Sequence, residues 1–203
     1  MRTTGILLFF LIGSVWPTVA QQFAFEYWHE GRIVLDSGDT LKGTLKYDMQ
    51  ADLLQYQKDN KNQSFSARNA LFFEIFDATI KQYRQFYSLP FSVSGGGYKV
   101  PVFFELMAEG KLTLLCREAL EYRTYSSSFY YYGTNTRLVM VYRYYLLQEN
   151  GEIIQFTGKK DDWLDLMDKH ADEVQHYAKQ NKLAFDDKYE LVRIITYYNS
   201  FFK

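Results

Sequence analysis

Residues 31–45 read GRIVLDSGDTLKGTL and decide how the chain begins to fold. The apolar run at 33–35 leads into residues 36–39, which are of the types that bond their own backbone or tolerate positive φ in tight turns. From Thr40 to Tyr47, polar and apolar side chains then alternate with a period of two, as they do on a half-buried strand. This stretch therefore predicts an antiparallel β-hairpin.

Short apolar runs separated by turn residues continue along the chain. They predict further strands at 53–58, 64–67, 71–76, 79–89, 102–106, 111–115, 138–147 and 152–156. An Asn150-Gly151 pair joins the last two and is a strong hairpin signal. We expect Pro90 to end the strand before it. Because both faces of 138–147 are apolar or aromatic, we expect that strand to be central.

From about residue 160 the apolar period becomes helical. Apolar stripes at 163–167, 174–178 and 191–198 predict three short helices, and Asp186 is placed to cap the last one. Strands followed by helices indicate an α+β, mainly β fold. We predict an antiparallel meander that forms a curved sheet or incomplete barrel, with three short C-terminal helices in a tail at about 160–203.

The first twenty residues have the pattern of a secretory signal peptide. Arg2 gives a positive start, residues 6–12 are apolar, and Ala20 ends a small-residue cleavage site. We expect cleavage after Ala20, which leaves a single β-rich domain at 21–203 that is exported to the periplasm or the cell exterior. The apolar run is too short to span a bilayer, so we expect no integral membrane segment in the mature chain.

Charge and cysteine content narrow the classes of function. The chain has 23 Lys and Arg against 24 Asp and Glu, and this near balance argues against a nucleic-acid partner. Cys116 is the single cysteine, so no internal disulfide can form. Strand alternation places Cys116 on the face shared by Leu112 and Leu114, which predicts core packing and not a reactive thiol.

No pattern in the chain predicts a metal or cofactor site. His29, His170 and His176 do not have the spacing of metal ligands. The glycines at 95–97 lack the Lys-Ser/Thr pair of a phosphate loop, and Ser94 lacks the leading glycine of a nucleophile elbow. We therefore predict no catalytic residue from motifs.

Paired carboxylates are the one catalytic arrangement that needs no local motif, because two acids can converge in space from distant strands. Glu74, Glu105, Glu118 and Glu121 lie in or beside apolar strands. We expect solvent-facing positions for them.

Residues 122–135 combine six aromatic rings with serines, a glycine and an asparagine. This mixture is typical of adaptable recognition surfaces, in which rings supply rigid apolar area and small polar residues supply hydrogen bonds. The alternative is a hairpin loop whose rings fold over the sheet edge. The candidate ligand-binding residues are Tyr125, Phe129, Tyr130, Tyr131, Tyr132 and Asn135.

Both ends of the predicted domain resemble a widespread family of signal-bearing bacterial envelope proteins of unknown function. The shared features are the Gly-Asp-Thr-x-x-Gly hairpin at 38–43, a β-rich middle, and a helical tail that ends in aliphatic residues and Tyr-Asn, here at 191–199. The resemblance implies an exported protein and supplies no catalytic residue.

We therefore predict a noncatalytic binding or structural protein of the bacterial envelope. Its expected partner is an envelope glycan or another protein. The alternative is a carbohydrate-active hydrolase that uses two of the strand carboxylates.

Overall fold

The computed structural model describes residues 24–93, 96–126 and 134–202. The predicted signal peptide, residues 1–20, lies outside these residues. The described part of the chain forms ten strands in one antiparallel sheet: β1 (His29–Leu35), β2 (Thr40–Asp48), β3 (Leu53–Lys58), β4 (Lys61–Ser66), β5 (Ala70–Asp77), β6 (Gln82–Phe91), β7 (Val100–Ala108), β8 (Thr113–Ser126), β9 (Thr134–Leu147) and β10 (Ile153–Phe156).

The strand order is β10-β9-β8-β7-β6-β5-β1-β2-β3-β4. It is a meander except that β5 returns to pair with β1. The hairpin predicted from residues 31–45 is confirmed, because β1 pairs with β2 from His29 opposite Leu45 to Val34 opposite Thr40.

Two expectations about strand ends are wrong. Pro90 lies inside β6, opposite Pro101 of β7. β6 pairs with β5 only as far as Tyr87, so Pro90 has a neighbouring strand only on the β7 side. On the β5 side no ladder of hydrogen bonds reaches Pro90, and its missing N–H breaks none. The connection between the predicted strands 53–58 and 64–67 is shorter than expected, because Asp59 and Asn60 both have positive φ and close a two-residue turn between β3 and β4.

The sheet is strongly curved, as the contact between Tyr47 of β2 and Phe103 of β7 shows. These strands are four steps apart in the sheet, which would separate them by roughly 19 Å if it were flat. Their ring centroids are 5.8 Å apart. The concave side holds an apolar cluster in which Phe73 stacks on Phe86.

The helical tail packs on the same side of the sheet through β7, β8 and β9. It consists of α1 (Lys160–Met167), α2 (Ala171–Gln180) and α3 (Lys188–Asn199). A single 3-10 turn at Asp168–His170 joins α1 to α2. The buried apolar residues of these helices are Trp163, Met167, Val174, Ala178, Leu191, Ile194, Ile195 and Tyr198, and they pack against Leu114 and Leu146 of the sheet.

The class α+β, mainly β, is confirmed. The helix cap predicted at Asp186 is wrong by one residue, because the side chain of Asp187 accepts hydrogen bonds from the N–H groups of Tyr189 and Glu190. None of the helices in the described ranges is both long and apolar enough to cross a membrane.

Candidate functional site

The outer halves of β8 and β9 form a two-stranded ribbon. β7 pairs with β8 only as far as Cys116, and β10 pairs with β9 only from Tyr144 onward. Among the described residues, 117–126 and 134–143 therefore pair only with each other. We call these two stretches the ribbon. β9 is thus not the central strand that its apolar faces predicted.

The ribbon contains part of the predicted recognition segment. Tyr125 is 49% exposed and lies opposite Asn135 in the β8–β9 ladder. Tyr122 is 77% exposed. The alternative of a hairpin loop does not hold at the two ends of the segment, because 122–126 and 134–135 are strand. The remaining candidates lie outside the described residues: Phe129, Tyr130, Tyr131 and Tyr132.

The ribbon also carries two like charges in direct register. Arg123 lies opposite Arg137, and both are exposed. Like charges at directly opposed positions destabilise a strand pair. The sequence has no acidic residue between Glu121 and Glu149, and within the described residues neither arginine forms a salt bridge. Because side chains alternate along a strand, these arginines share the face of Tyr125, and that face of the ribbon is therefore also cationic.

Sequence reasoning missed a buried group of charges between α3 and the sheet, which we call the ion cluster. It consists of Asp77, Arg84, Glu105, Glu118 and Lys188. The guanidinium of Arg84 donates to both oxygens of Glu105, at 2.7 and 2.8 Å. Lys188 Nζ donates to Glu105 at 2.8 Å and to Glu118 at 2.9 Å.

The prediction of solvent-facing glutamates is thus wrong for Glu105 and Glu118. Glu105 follows Phe103 at the same inward period-two position and is 4% exposed. A charged residue at an inward position of an apolar strand signals a buried partner of opposite charge. Arg84 shows the same pattern, since it lies two residues before the buried Phe86 on the same inward face of β6.

Electrostatics keep these groups ionised despite their burial. Burial alone would raise the pKa of Glu105, but the charges and hydrogen bonds of Arg84 and Lys188 outweigh it and hold the pKa below its ordinary range. Burial alone would lower the pKa of Lys188, but the carboxylates, Glu105 first, raise it above the usual value. The ion cluster therefore consists of ionised side chains, three carboxylates and two cations, that stabilise one another's charged forms.

The ion cluster has no room for a substrate. The cavity beside Glu105 and Glu118 has a volume of about 10 Å³, close to the space of one water molecule. Both carboxylates are already bonded to cations, so neither is poised to donate or accept a proton as a glycosidase pair must. Of the other two predicted glutamates, Glu74 bonds Arg32 and Glu121 bonds Arg143.

The cysteine and histidine side chains considered in the sequence analysis include two that are packed into the fold. Cys116 is buried as predicted, and burial raises the pKa of its thiol. His170 stacks on Phe201, with ring centroids 4.4 Å apart. Within the described residues, no group of three or more His, Cys, Asp or Glu side chains could hold a metal ion.

A cleft of about 760 Å³ lies between the β9–β10 hairpin and the helical tail. This volume is within the range of small-molecule sites. The cleft was not visible in the sequence, because its walls come from segments that were predicted only as separate strands and helices. Its aromatic wall consists of Tyr142, Tyr144, Phe156, Trp163 and Phe185.

The rim of the cleft is cationic. It carries Lys159, Lys160, Lys179 and Lys182, and none of these four forms a salt bridge within the described residues. Arg143 also lines the cleft but is paired with Glu121. The single carboxylate among the lining residues is that of Asp186.

Comparison with family models, curated proteins and solved structures finds no match to this chain.

Proposed function

We propose that this chain is an exported protein of the bacterial envelope that binds a glycan or a protein partner and does not catalyse a reaction. The ribbon, with residues 125–135 at its end, is the recognition surface. Export is inferred from the signal-peptide pattern of residues 1–20.

The observation that carries this proposal is the exposure of Tyr122 and Tyr125, one on each face of a ribbon that pairs with no third strand among the described residues. Large rings that remain in water contribute little to the fold, but they supply rigid apolar area to a partner. The opposed Arg123 and Arg137 add hydrogen-bond donors on the face that carries Tyr125, whereas Tyr122 lies on the other face of the ribbon. Aromatic and arginine side chains are the types enriched at the energetic centres of interfaces.

The ion cluster supports the noncatalytic part of the proposal. A carbohydrate-active hydrolase that uses paired carboxylates needs them to converge on a cleft with different protonation states. Glu105 and Glu118 converge instead on Lys188, in a cavity of about 10 Å³. Their arrangement is suited to fastening α3 to the sheet.

The double variant Tyr122→Ala/Tyr125→Ala tests the proposal. We expect it to lose at least tenfold in binding, since it removes an exposed tyrosine from each face and a tyrosine at the energetic centre of an interface contributes about 2 kcal/mol or more. Binding is measured by co-sedimentation with purified peptidoglycan sacculi, by a glycan array, and by photo-crosslinking from position 123 in living cells for a protein partner. The melting temperature should stay within about 2 °C of the parent, because both rings are exposed.

Tyr83→Ala/Tyr98→Ala is the matched control, because these tyrosines are equally exposed and lie elsewhere on the surface. The control variant should bind as the parent does. Unchanged binding by the ribbon variant, or equal losses in both variants, would contradict the assignment of the ribbon as the recognition surface.

A further inference from the structure

We propose that the cleft between the β9–β10 hairpin and the helical tail binds a small amphiphilic anion, a molecule that joins an apolar body to a carboxylate, phosphate or sulfonate group. This site is separate from the end of the ribbon. The proposal does not depend on the proposed function.

The wall of the cleft is suited to an apolar body. Phe156 and Trp163 lie with ring centroids 4.0 Å apart, and Trp163 also meets Tyr144 at 6.2 Å. Leu183 and Phe185 continue this surface on the side of the helical tail. Aromatic and aliphatic walls with a few polar groups at the mouth are the usual composition of a ligand pocket.

The rim determines the charge of the ligand. The lining contains four lysines that form no salt bridge with a described residue and one carboxylate, that of Asp186, so the mouth attracts anions. Asp161 and Asp162 are the acids in the first turn of α1, and the Asp162 side chain accepts a hydrogen bond from the Lys159 N–H at 2.6 Å. Asp162 therefore stabilises its own helix start and lies outside the cleft lining.

Gly158 keeps the mouth in this shape. A Cβ at this position would collide with the ring of Phe156 and would lie 2.5 Å from the Asp162 Cβ. Only glycine lets the chain pass from β10 into α1 so close to the aromatic wall. This passage places Lys159 and Lys160 in the lining of the cleft together with Phe156.

Two fluorescent probes with the same rings test the site. One is 8-anilinonaphthalene-1-sulfonate, an anion, and the other is N-phenyl-1-naphthylamine, which is neutral. We expect saturable binding of the anionic probe at one site per folded chain, with weaker binding of the neutral probe. Dodecanoate and indole-3-acetate are competitors. Displacement by the first identifies an acyl chain as the preferred body, and displacement by the second identifies an aromatic ring.

Two variants locate the binding. Lys159→Gln/Lys182→Gln should weaken the anionic probe about fivefold and leave the neutral probe unchanged, as removal of two exposed charges implies. Lys81→Gln/Lys169→Gln removes the same charge outside the cleft lining and should leave both probes unchanged. Ala184→Trp adds a ring at an exposed position of the lining and should exclude both probes while the protein still melts cooperatively.

Several results would overturn the proposal. Equal binding of both probes, with no effect of the two lysine substitutions, would show that the cleft does not select anions. Unchanged binding to Ala184→Trp would place the probes elsewhere. Absence of saturable binding to the parent, or failure of both competitors to displace the probe, would reject the ligand class.

Discussion

Lys188 Nζ lies 2.8 Å from Oε2 of Glu105, although the two residues are 83 positions apart in the chain. Lys188 is the first residue of α3, and Glu105 is on β7. The contact therefore joins the start of the last helix to an inner strand of the sheet. Because both side chains are buried, removal of either one would leave a buried charge without its partner and would destabilise the fold.

Lys188→Met should lower the free energy of unfolding by about 3 kcal/mol, because it leaves Glu105 and Glu118 with Arg84 as their cation. Urea denaturation measures the loss. Lys111→Met is the control, since it removes an exposed lysine from its salt bridge with Glu149 and should cause no measurable change.

A double-mutant cycle distinguishes pairing from simple loss of packing. Lys188→Met and Glu118→Gln should together cost less than the sum of their separate effects, because each single change leaves a buried charge that the other removes. Strictly additive losses would show that the two side chains do not act as an ion pair.

The ion cluster should make stability fall at both ends of the pH scale. The pKa of Glu105 is lower in the folded than in the unfolded chain, so its contribution is complete above about pH 4.3 and is lost as the pH falls through the folded value. The pKa of Lys188 is raised, so its contribution is complete below about pH 10.4 and is lost as the pH rises further.

Denaturation midpoints from about pH 3 to about pH 11 measure this dependence. Glu105→Gln should be less stable at neutral pH and should lose less on acidification than the parent. An acid limb of the same steepness in both proteins would mean that other carboxyls determine the acid sensitivity.

Cys116→Ala should keep the fold and cost roughly 1 kcal/mol, the price of a small void beside Glu105 and Leu114. Burial raises the pKa of the thiol and hides it from reagents. A thiol reagent should therefore label the urea-unfolded chain once and the native chain not at all. Rapid labelling under native conditions would place Cys116 at the surface.

Local patterns predicted most strands, but only some of their ends. The predicted bounds of β3, 53–58, agree with the structure, because the pattern of this strand is contained in its own residues. Pro90 was misassigned because its tolerance depends on where β5 stops pairing with β6. That is a property of neighbouring strands, and no local window contains it.

The sites were harder to predict than the strands. Burial of Glu105 depends on Arg84 and Lys188, which come from two other elements. A glutamate in an apolar run is compatible with either face until those partners are known. The cleft depends on how α1 and α2 lie against β9 and β10, so its aromatic wall appeared in the sequence only as ordinary core residues.

Tyr144→Phe should raise the free energy of unfolding by about 1 kcal/mol. The hydroxyl of Tyr144 is buried and has no hydrogen-bond partner in the described part of the chain, and an unsatisfied buried polar group is costly. Thermal and urea denaturation measure the gain. Tyr47→Phe is the contrasting case, because its hydroxyl donates to Asp52 and its loss should destabilise the protein.

Asn199→Ala should cost about 2 kcal/mol, because this side chain closes the turn between β7 and β8. Its Oδ1 accepts from the Leu112 N–H at 2.8 Å, and its Nδ2 donates to the carbonyl oxygens of Leu112 and Glu109 at 2.9 and 3.2 Å. The Asn that ends the aliphatic run of α3 thus has a structural role. Urea denaturation measures the loss, and Asn150→Ala, at an exposed turn, should cost less.

Gly110 lies against the Asn199 side chain and provides a second test of this contact. Its φ is +150°, and a Cβ there would lie 2.6 Å from Asn199 Cγ. Gly110→Ala should therefore destabilise the protein through both backbone strain and this collision. In the Asn199→Ala background the contacts with Cγ and Nδ2 are removed and the one with the Asn199 Cβ, at 2.9 Å, remains, so the collision is partly relieved and the double variant should be more stable than the sum of the single losses predicts. If the two losses simply add, the close approach of Asn199 to Gly110 is not what restricts this position to glycine.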